Sequence, residues 1–289
     1  MKADMKNVRN ILMLFTILAT GFACKKHVIE YDTVPVKGEA EFQLHYVVPL
    51  TAGTANNILK VELNGVMIAN SSAPLNTYNA IPSGSVGRFY VTKTGVNNIK
   101  LYKGPNLDLV YDQNVTLAAG KQNVFVYAFD QPPVVINNGF PYVADVTENT
   151  GTKEWIKFYN FLFETEGVPT TLKLQYQYQY TTDIEAGTKS DWINAGNPVA
   201  FGEATDWVAI PIISDTTQIS SGFARIDYRI HVIDGAGVDQ GDLMVLNSAN
   251  KFVAYSDWWN GYIGRRYHHI LSGMRAAKPT SAVRIFTAL

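Results

Sequence analysis

The chain has one cysteine, few charges and no apolar run long enough to span a bilayer, and each shortage closes off a class of function. A single cysteine permits neither an internal disulfide framework nor a multi-cysteine metal site. Only 17% of residues are charged, and 24 Lys+Arg against 25 Asp+Glu leave a formal net charge of −1. Without an excess of cations the chain cannot neutralise a phosphate backbone, so no nucleic-acid partner is expected. Catalytic signatures are missing too. There is no Gly-x-Ser-x-Gly elbow and no Walker pattern, and Gly235-Ala236-Gly237 is followed by Gln240 where a dinucleotide fingerprint needs its third glycine. The expectation is a non-enzymatic protein with no cofactor and no metal. What is present is 47% hydrophobic residues with 16 Tyr and 14 Phe, a composition that folds.

The cysteine is informative by position. Lys2, Lys6 and Arg9 precede the apolar run Ile11 to Ala23, which ends in Gly21-Phe22-Ala23-Cys24. That run falls short of the roughly 20 residues a membrane-spanning helix needs and suits the core of a signal peptide. Small residues before the cysteine resemble a bacterial lipobox, which implies that Cys24 is lipidated and becomes the new N-terminus. A buried free thiol, or secretion with Cys24 incidental, are the competing readings. On the lipobox reading residues 1–23 are a lipoprotein signal peptide and 24–38 the lipidated cysteine and its tether. The membrane is then a partner through the N-terminal lipid. The expected location is the cell outer membrane, facing the periplasm or exposed on the surface.

Beyond the tether, hydrophobic period 2 dominates and the helical period is hard to find. Glu41 to Val48, Ile58 to Leu63, Gly87 to Val91, Asn98 to Lys103 and Asn123 to Phe129 have strand character, with Asn64-Gly65, Gly104-Pro105 and Ala119-Gly120 as turns between them. The spacing predicts a sandwich of about seven strands over residues 39–136. Pro132-Pro133 and the Asn, Gly and Thr residues after it suggest a linker, placed at 137–153. A second, larger sandwich is expected over 154–289. Its segments echo the first: Glu154 to Tyr159 answers Ala40 to Tyr46, Thr171 to Tyr176 answers Ile58 to Leu63, and Phe252 to Tyr255 parallels Phe125 to Ala128. The predicted fold class is all-β, with two tandem immunoglobulin-like β-sandwich modules after a lipoprotein signal peptide.

Val61-Glu62-Leu63-Asn64-Gly65, Ile81-Pro82-Ser83-Gly84-Ser85 and Val115-Thr116-Leu117-Ala118-Ala119-Gly120-Lys121 form a series that resembles the tandem immunoglobulin-like β-modules of Bacteroidetes surface lipoproteins, a domain family of unknown function. The resemblance implies a fold and a surface location. Its motifs are turns and strand ends, so it implies no activity.

Candidate binding residues come from the aromatics. All five tryptophans, Trp155, Trp192, Trp207, Trp258 and Trp259, lie in the second half. Consecutive Trp258 and Trp259 on a strand must face opposite ways, so one is expected outside. Trp258, Trp259, Tyr262, Trp192 and Arg265 are therefore the candidate ligand-binding set, because rings flanked by Asp, Asn and Arg suit sugars; the competing reading is that these tryptophans pack against loops or the other module. Tyr176, Tyr178 and Tyr180 define one all-tyrosine strand face, either an inter-sheet layer or a binding surface. Adjacent His268 and His269 cannot share an ion from opposite faces, and Asp234 to Asp242 fits a solvated hairpin better than a calcium loop. The expected function is a lipid-anchored envelope binding protein whose ligand the sequence does not name, with a glycan-binding accessory lipoprotein that takes a polysaccharide as one reading. The alternative is a structural or adhesive protein binding a surface-protein partner.

Overall fold

The computed structural model describes residues 38–83, 87–138, 153–183, 185–212 and 223–288. Cys24, the leader and most of the 137–153 segment lie outside the described residues. The first half contributes β1 (Glu39–Tyr46), β2 (Ile58–Leu63), β3 (Val66–Ala69), β4 (Asn79–Ile81), β5 (Tyr90–Lys93), β6 (Gly95–Lys103), β7 (Asp108–Leu117), β8 (Gly120–Val126) and β9 (Val134–Asn137). The second continues with β10 (Lys153–Thr165), β11 (Val168–Pro169), β12 (Lys173–Asp183), β13 (Thr188–Lys189), β14 (Ile193–Asn194), β15 (Val208–Pro211) and β16 (Phe223–Ile233). It ends with β17 (Asp239–Asp242), β18 (Met244–Leu246), β19 (Phe252–Ala254), β20 (Ser256–Tyr262), β21 (Arg266–Met274) and β22 (Ala282–Thr287). Among the described residues there is no helix, and the protein is all-β.

Each half makes a sandwich on one plan. In the first, the sheet β4-β1-β8-β9, with β5 also on β1, faces the sheet β3-β2-β6-β7. In the second, β11-β10-β21-β22, with β15 also on β10, faces a six-stranded sheet built on β12 and β16. The opening strand of each half pairs in parallel with a late one, β1 with β8 and β10 with β21. Phe252–Ala254 does not correspond to Phe125: β19 pairs only with β18 in a small hairpin, and β21 holds the place of β8. The first half also has more strands than the expected seven. Val134–Asn137, directly after Pro132-Pro133, adds an edge strand to β8, which a proline pair at a strand start permits.

The two inner sheets pack on each other, so the strands form four layers. Ala40, Phe42, Leu44 and Tyr46 of β1 point into the first core. The other face of β1 carries Gln43 and His45, and both are buried as well. Gln43 donates to the Pro82 and Arg88 carbonyls, and His45 meets His268 of β21 edge to face; β10 and β21 show near-continuous burial instead of alternation. Parallel pairs buried on both faces have that pattern. The layer between the sheets holds Val47, Phe125, Tyr159, Phe161, Ile270 and Phe286. Phe125 stacks on Phe161 with centroids 4.4 Å apart. A file of hydrogen bonds crosses the same layer. His45 Nε2 meets Asn123 Oδ1 at 3.2 Å, Asn123 Nδ2 donates to the Tyr159 hydroxyl at 3.3 Å, and that hydroxyl meets His268 Nδ1 at 2.8 Å. A single proton arrangement satisfies all three contacts with both imidazoles neutral, each protonated on Nε2. Lys157 completes the join by donating to the Asn137 and Asn138 carbonyls at 3.0 and 3.3 Å.

The second core takes Tyr176, Tyr178 and Tyr228 with Ile156, Phe158 and Leu271. The all-tyrosine face is therefore an inter-sheet layer. Its deepest polar groups are His269, whose Nδ1 meets the Tyr176 hydroxyl at 2.9 Å, and Glu154, which accepts the Trp259 indole N–H at 2.9 Å. Gly261 makes room for that carboxyl, because a Cβ there would lie 2.5 Å from Glu154 Oε1.

These buried groups give stability a signed pH dependence. Burial holds His45 down to about 4, despite its bond to Asn123, holds His269 down to about 3, and holds His268 well below the ordinary value. Unfolded histidines take up protons below about pH 6.5 that the folded chain refuses, so stability falls as pH drops from there, by about 1.4 kcal/mol per pH unit for each histidine. Burial raises Glu154 from about 4.5 to about 8, so the unfolded chain loses that proton first and this contribution falls as pH rises from about 4.5 towards 8, outweighed by the three histidines below pH 6.5 and unopposed by them above it. Thermal melts should peak near pH 6.5, and Glu154→Gln should flatten the alkaline limb and steepen the acid limb between about pH 4.5 and 6.5. A melting temperature unchanged between pH 6.5 and 4.5 would refute neutral buried imidazoles.

Candidate functional site

The outward face of the six-stranded sheet is the most chemically furnished surface of the second half. On β12 the glutamines lie on the face opposite the inward tyrosines, where Gln175 and Gln177 are buried and Gln179 is partly exposed. On β16 the sequence Phe-Ala-Arg-Ile-Asp-Tyr-Arg-Ile-His alternates strictly, placing Arg225, Asp227, Arg229 and His231 on the same outer face. Register brings the residues together. Gln179 pairs with Asp227, and Asp227 with Trp258. On the far side of β12, Tyr178 pairs with Ile193, so Trp192 stands one step on, beside Gln179. Trp192, just before β14, and Gln179, Asp227 and Trp258 on β12, β16 and β20 thus form a row.

The row is an open trough of about 350 Å³ lined by Gln179, Lys189, Trp192, Arg225, Asp227 and Trp258, among others. Three of its charged groups, Lys189, Arg225 and Asp227, are already paired. Asp227 is held by Lys189 and by Arg225, whose Nε donates to Oδ1 at 2.8 Å. These hydrogen bonds outweigh the cost of partial burial and keep the Asp227 carboxyl below its ordinary range. Each tryptophan carries a guanidinium over its ring: Arg225 lies 4.7 Å from the Trp258 centroid and Arg229 4.5 Å from that of Trp192. Arg229 also donates to Gln177 Oε1 at 2.8 Å. Such stacks at an exposed site contribute about 0.5–1 kcal/mol each and fix the ring orientation. Trp258 remains 48% exposed, so it offers a pre-oriented apolar plate.

The candidate residues separate. Trp192 and Trp258 come together in the trough. Trp259 does not: it is 5% exposed, sits in the core against His269 at 4.6 Å and bonds Glu154. Its inward direction follows from its neighbour facing out. Tyr262 and Arg265 lie beyond the trough at the turn into β21, where Arg265 stacks on the Tyr262 ring at 5.2 Å. Cys24 is outside the described residues. Arg225, Asp227, Arg229 and Gln179 were missed as candidates, although the strict alternation of β16 signals their shared face. His268 and His269 point into different layers. Asp234 caps its own hairpin by accepting the Ala236 and Val238 N–H groups at 2.9 Å. Asp239 and Asp242 flank His231 at 2.7 and 3.2 Å. Among the described residues no group of three or more His, Cys, Asp or Glu is arranged for a metal ion, and no helix is long and apolar enough to cross a membrane.

A second concavity of about 510 Å³ lies where the two halves meet. Val48, Leu50, Tyr127, Phe129 and Phe163 supply apolar walls, and Asp130 and Glu166 stand among its lining.

No protein-family model and no curated protein matches the chain. Among solved structures, the Bacillus anthracis TIE protein aligns at a TM-score of 0.23 and 9% identity, over 82% of this chain and 34% of its own. The chain therefore spans about a third of that protein's length. A "putative cell adhesion protein" from Bacteroides fragilis NCTC 9343 aligns at 0.24 and 9% identity, over 86% and 97%. One of the same description from Bacteroides uniformis ATCC 8492 aligns at 0.19 and 10%, over 88% and 100%. Scores this low support no functional inference.

The two adjacent tryptophans should behave oppositely on substitution. Trp259→Ala should cost about 3–5 kcal/mol, as expected for a buried aromatic, whereas Trp258→Ala should cost less than about 1 kcal/mol. Urea unfolding measures both. Equal losses would contradict the assigned faces.

Proposed function

We propose that this is a lipid-anchored protein of the cell outer membrane that binds glycan through the outer face of its second sandwich. One observation carries the reading: two tryptophans, held in place by stacked arginines, close the ends of a trough whose floor is amide, carboxylate and ammonium. Indole faces accept the C–H faces of sugar rings, and the polar floor exchanges hydrogen bonds with hydroxyls. Anchoring rests on the lipobox-like residues ending at Cys24. A lipid there would tether the trough to the membrane without spanning it.

A second reading, an adhesive or structural role, is favoured by the apolar cleft between the halves, which suits a side chain of a partner protein better than a sugar. Affinity gels cast with polysaccharide separate the two. Wild-type protein should be retarded, and Trp192→Ala and Trp258→Ala should each restore free migration while melting normally. Migration unaffected by every polysaccharide would leave the protein-partner reading. Metabolic labelling with palmitate tests the anchor: label should disappear in Cys24→Ala, and its persistence would overturn the assignment.

A further inference from the structure

We infer that the trough takes an uncharged, unbranched saccharide chain lying across the strands, an inference that rests on the glycan reading above. The first observation behind it is the row itself. Gln179, Asp227 and Trp258 occupy neighbouring strands at one level, and Trp192, one residue before β14, extends the row beside Gln179. Three inter-strand steps separate the tryptophans by about 14 Å. A linked sugar ring advances by roughly one inter-strand step, so a chain of about three or four rings reaches from one indole to the other. A single sugar reaches only one of them. Gln179 and Asp227 lie between, where the hydroxyls of the middle rings would fall.

The second observation is charge. Lys189 and Arg225 bring two cations to the lining and Arg229, stacked on Trp192 and bonded to the neutral Gln177, stands beside it as a third, against the carboxylates of Asp227 and Asp257. Lys189 and Arg225 already bind Asp227. An anionic sugar would have to displace that carboxylate or lie beside it, and like charges at contact distance repel. A hydroxyl is donor and acceptor at once and can join these paired groups without breaking them. The open ends of the row also favour a chain: nothing in the trough encloses a single ring, and its volume is at the low end for a pocket that buries a whole ligand.

The test uses the chain from Cys24 onward and three sets of probes. These are linear neutral β-glucan, mannan and xylan oligosaccharides of one to six rings, the corresponding neutral polysaccharides, and the acidic polysaccharides polygalacturonate and alginate. In calorimetric titrations at least one neutral series should bind with affinity rising at least tenfold from one ring to four and then levelling. Binding should be unchanged on raising the ionic strength, and Trp192→Ala and Trp258→Ala should each abolish the gain with length. Retention by acidic polysaccharides alone would overturn the uncharged ligand while leaving the glycan reading intact. Equal affinity for one ring and four would overturn the cross-strand chain in the same way. No binding to any probe, by a protein that melts normally, would overturn both.

Discussion

The fold depends on a sheet that has no wet face. β10 and β21 lie side by side in parallel, covered on one side by the tyrosine-rich core of their own sandwich and on the other by β1 and β8 of the preceding one. Everything polar on those strands must be satisfied inside the protein, because an unpartnered buried polar group costs several kcal/mol. The file from His45 through Asn123 and Tyr159 to His268 satisfies the groups it links across the join, while His45 Nδ1 and His268 Nε2 at its two ends are buried without a hydrogen-bond partner among the described residues. The Lys157 ammonium, gripping the carbonyls after β9, does the same at its margin. A contact so dependent on neutral imidazoles couples the integrity of the pair of sandwiches to pH.

The same constraint explains where binding chemistry can be. With the centres of the inner sheets consumed by packing, the outer sheets present whole faces to solvent, and the inner ones expose side chains only at flanking strands, such as Val91, Val168 and Ile285. The outer face of the first sandwich is laced by short-range pairs, Lys60 with Glu62 and Lys100 with Asp112, and offers no tryptophan. The outer face of the second carries both exposed-side tryptophans. Its rings are braced by arginines that are themselves hydrogen-bonded to Asp227 and Gln177, so ligand binding need not order floppy side chains, and that lowers its entropic cost.

Much of the architecture was legible in the sequence, and the misses have physical causes. Alternation announced β2, β6 and β12, and Gln-Tyr repetition in β12 predicted one aromatic face without saying whether it was inside. β1 alternates as well, but its polar face, Gln43 and His45, is buried. Alternation distinguishes two faces and cannot tell solvent from a second layer. β9 was hidden by the prolines before it, and the supposed counterpart of Phe125 at Phe252 misled because short apolar strings recur in any β-protein. At the site, sequence gave Trp192 and Trp258. It could not choose between Trp258 and Trp259, since a strand period of two fixes only that they differ. It passed over Arg225, Asp227 and Arg229 because charged residues on an outer face look like ordinary solvation until register aligns them with tryptophans from other strands.

The central claim is that the row from Trp192 to Trp258 is the binding face. The most direct measurement is the set of five indole N–H resonances in a 1H–15N spectrum, followed while a neutral linear tetrasaccharide is added. The account predicts that the Trp192 and Trp258 signals move together along one saturation curve while that of Trp259, bonded to Glu154 in the core, stays still. Saturable shifts that bypass Trp192 and Trp258, or no shift at any indole, would contradict it.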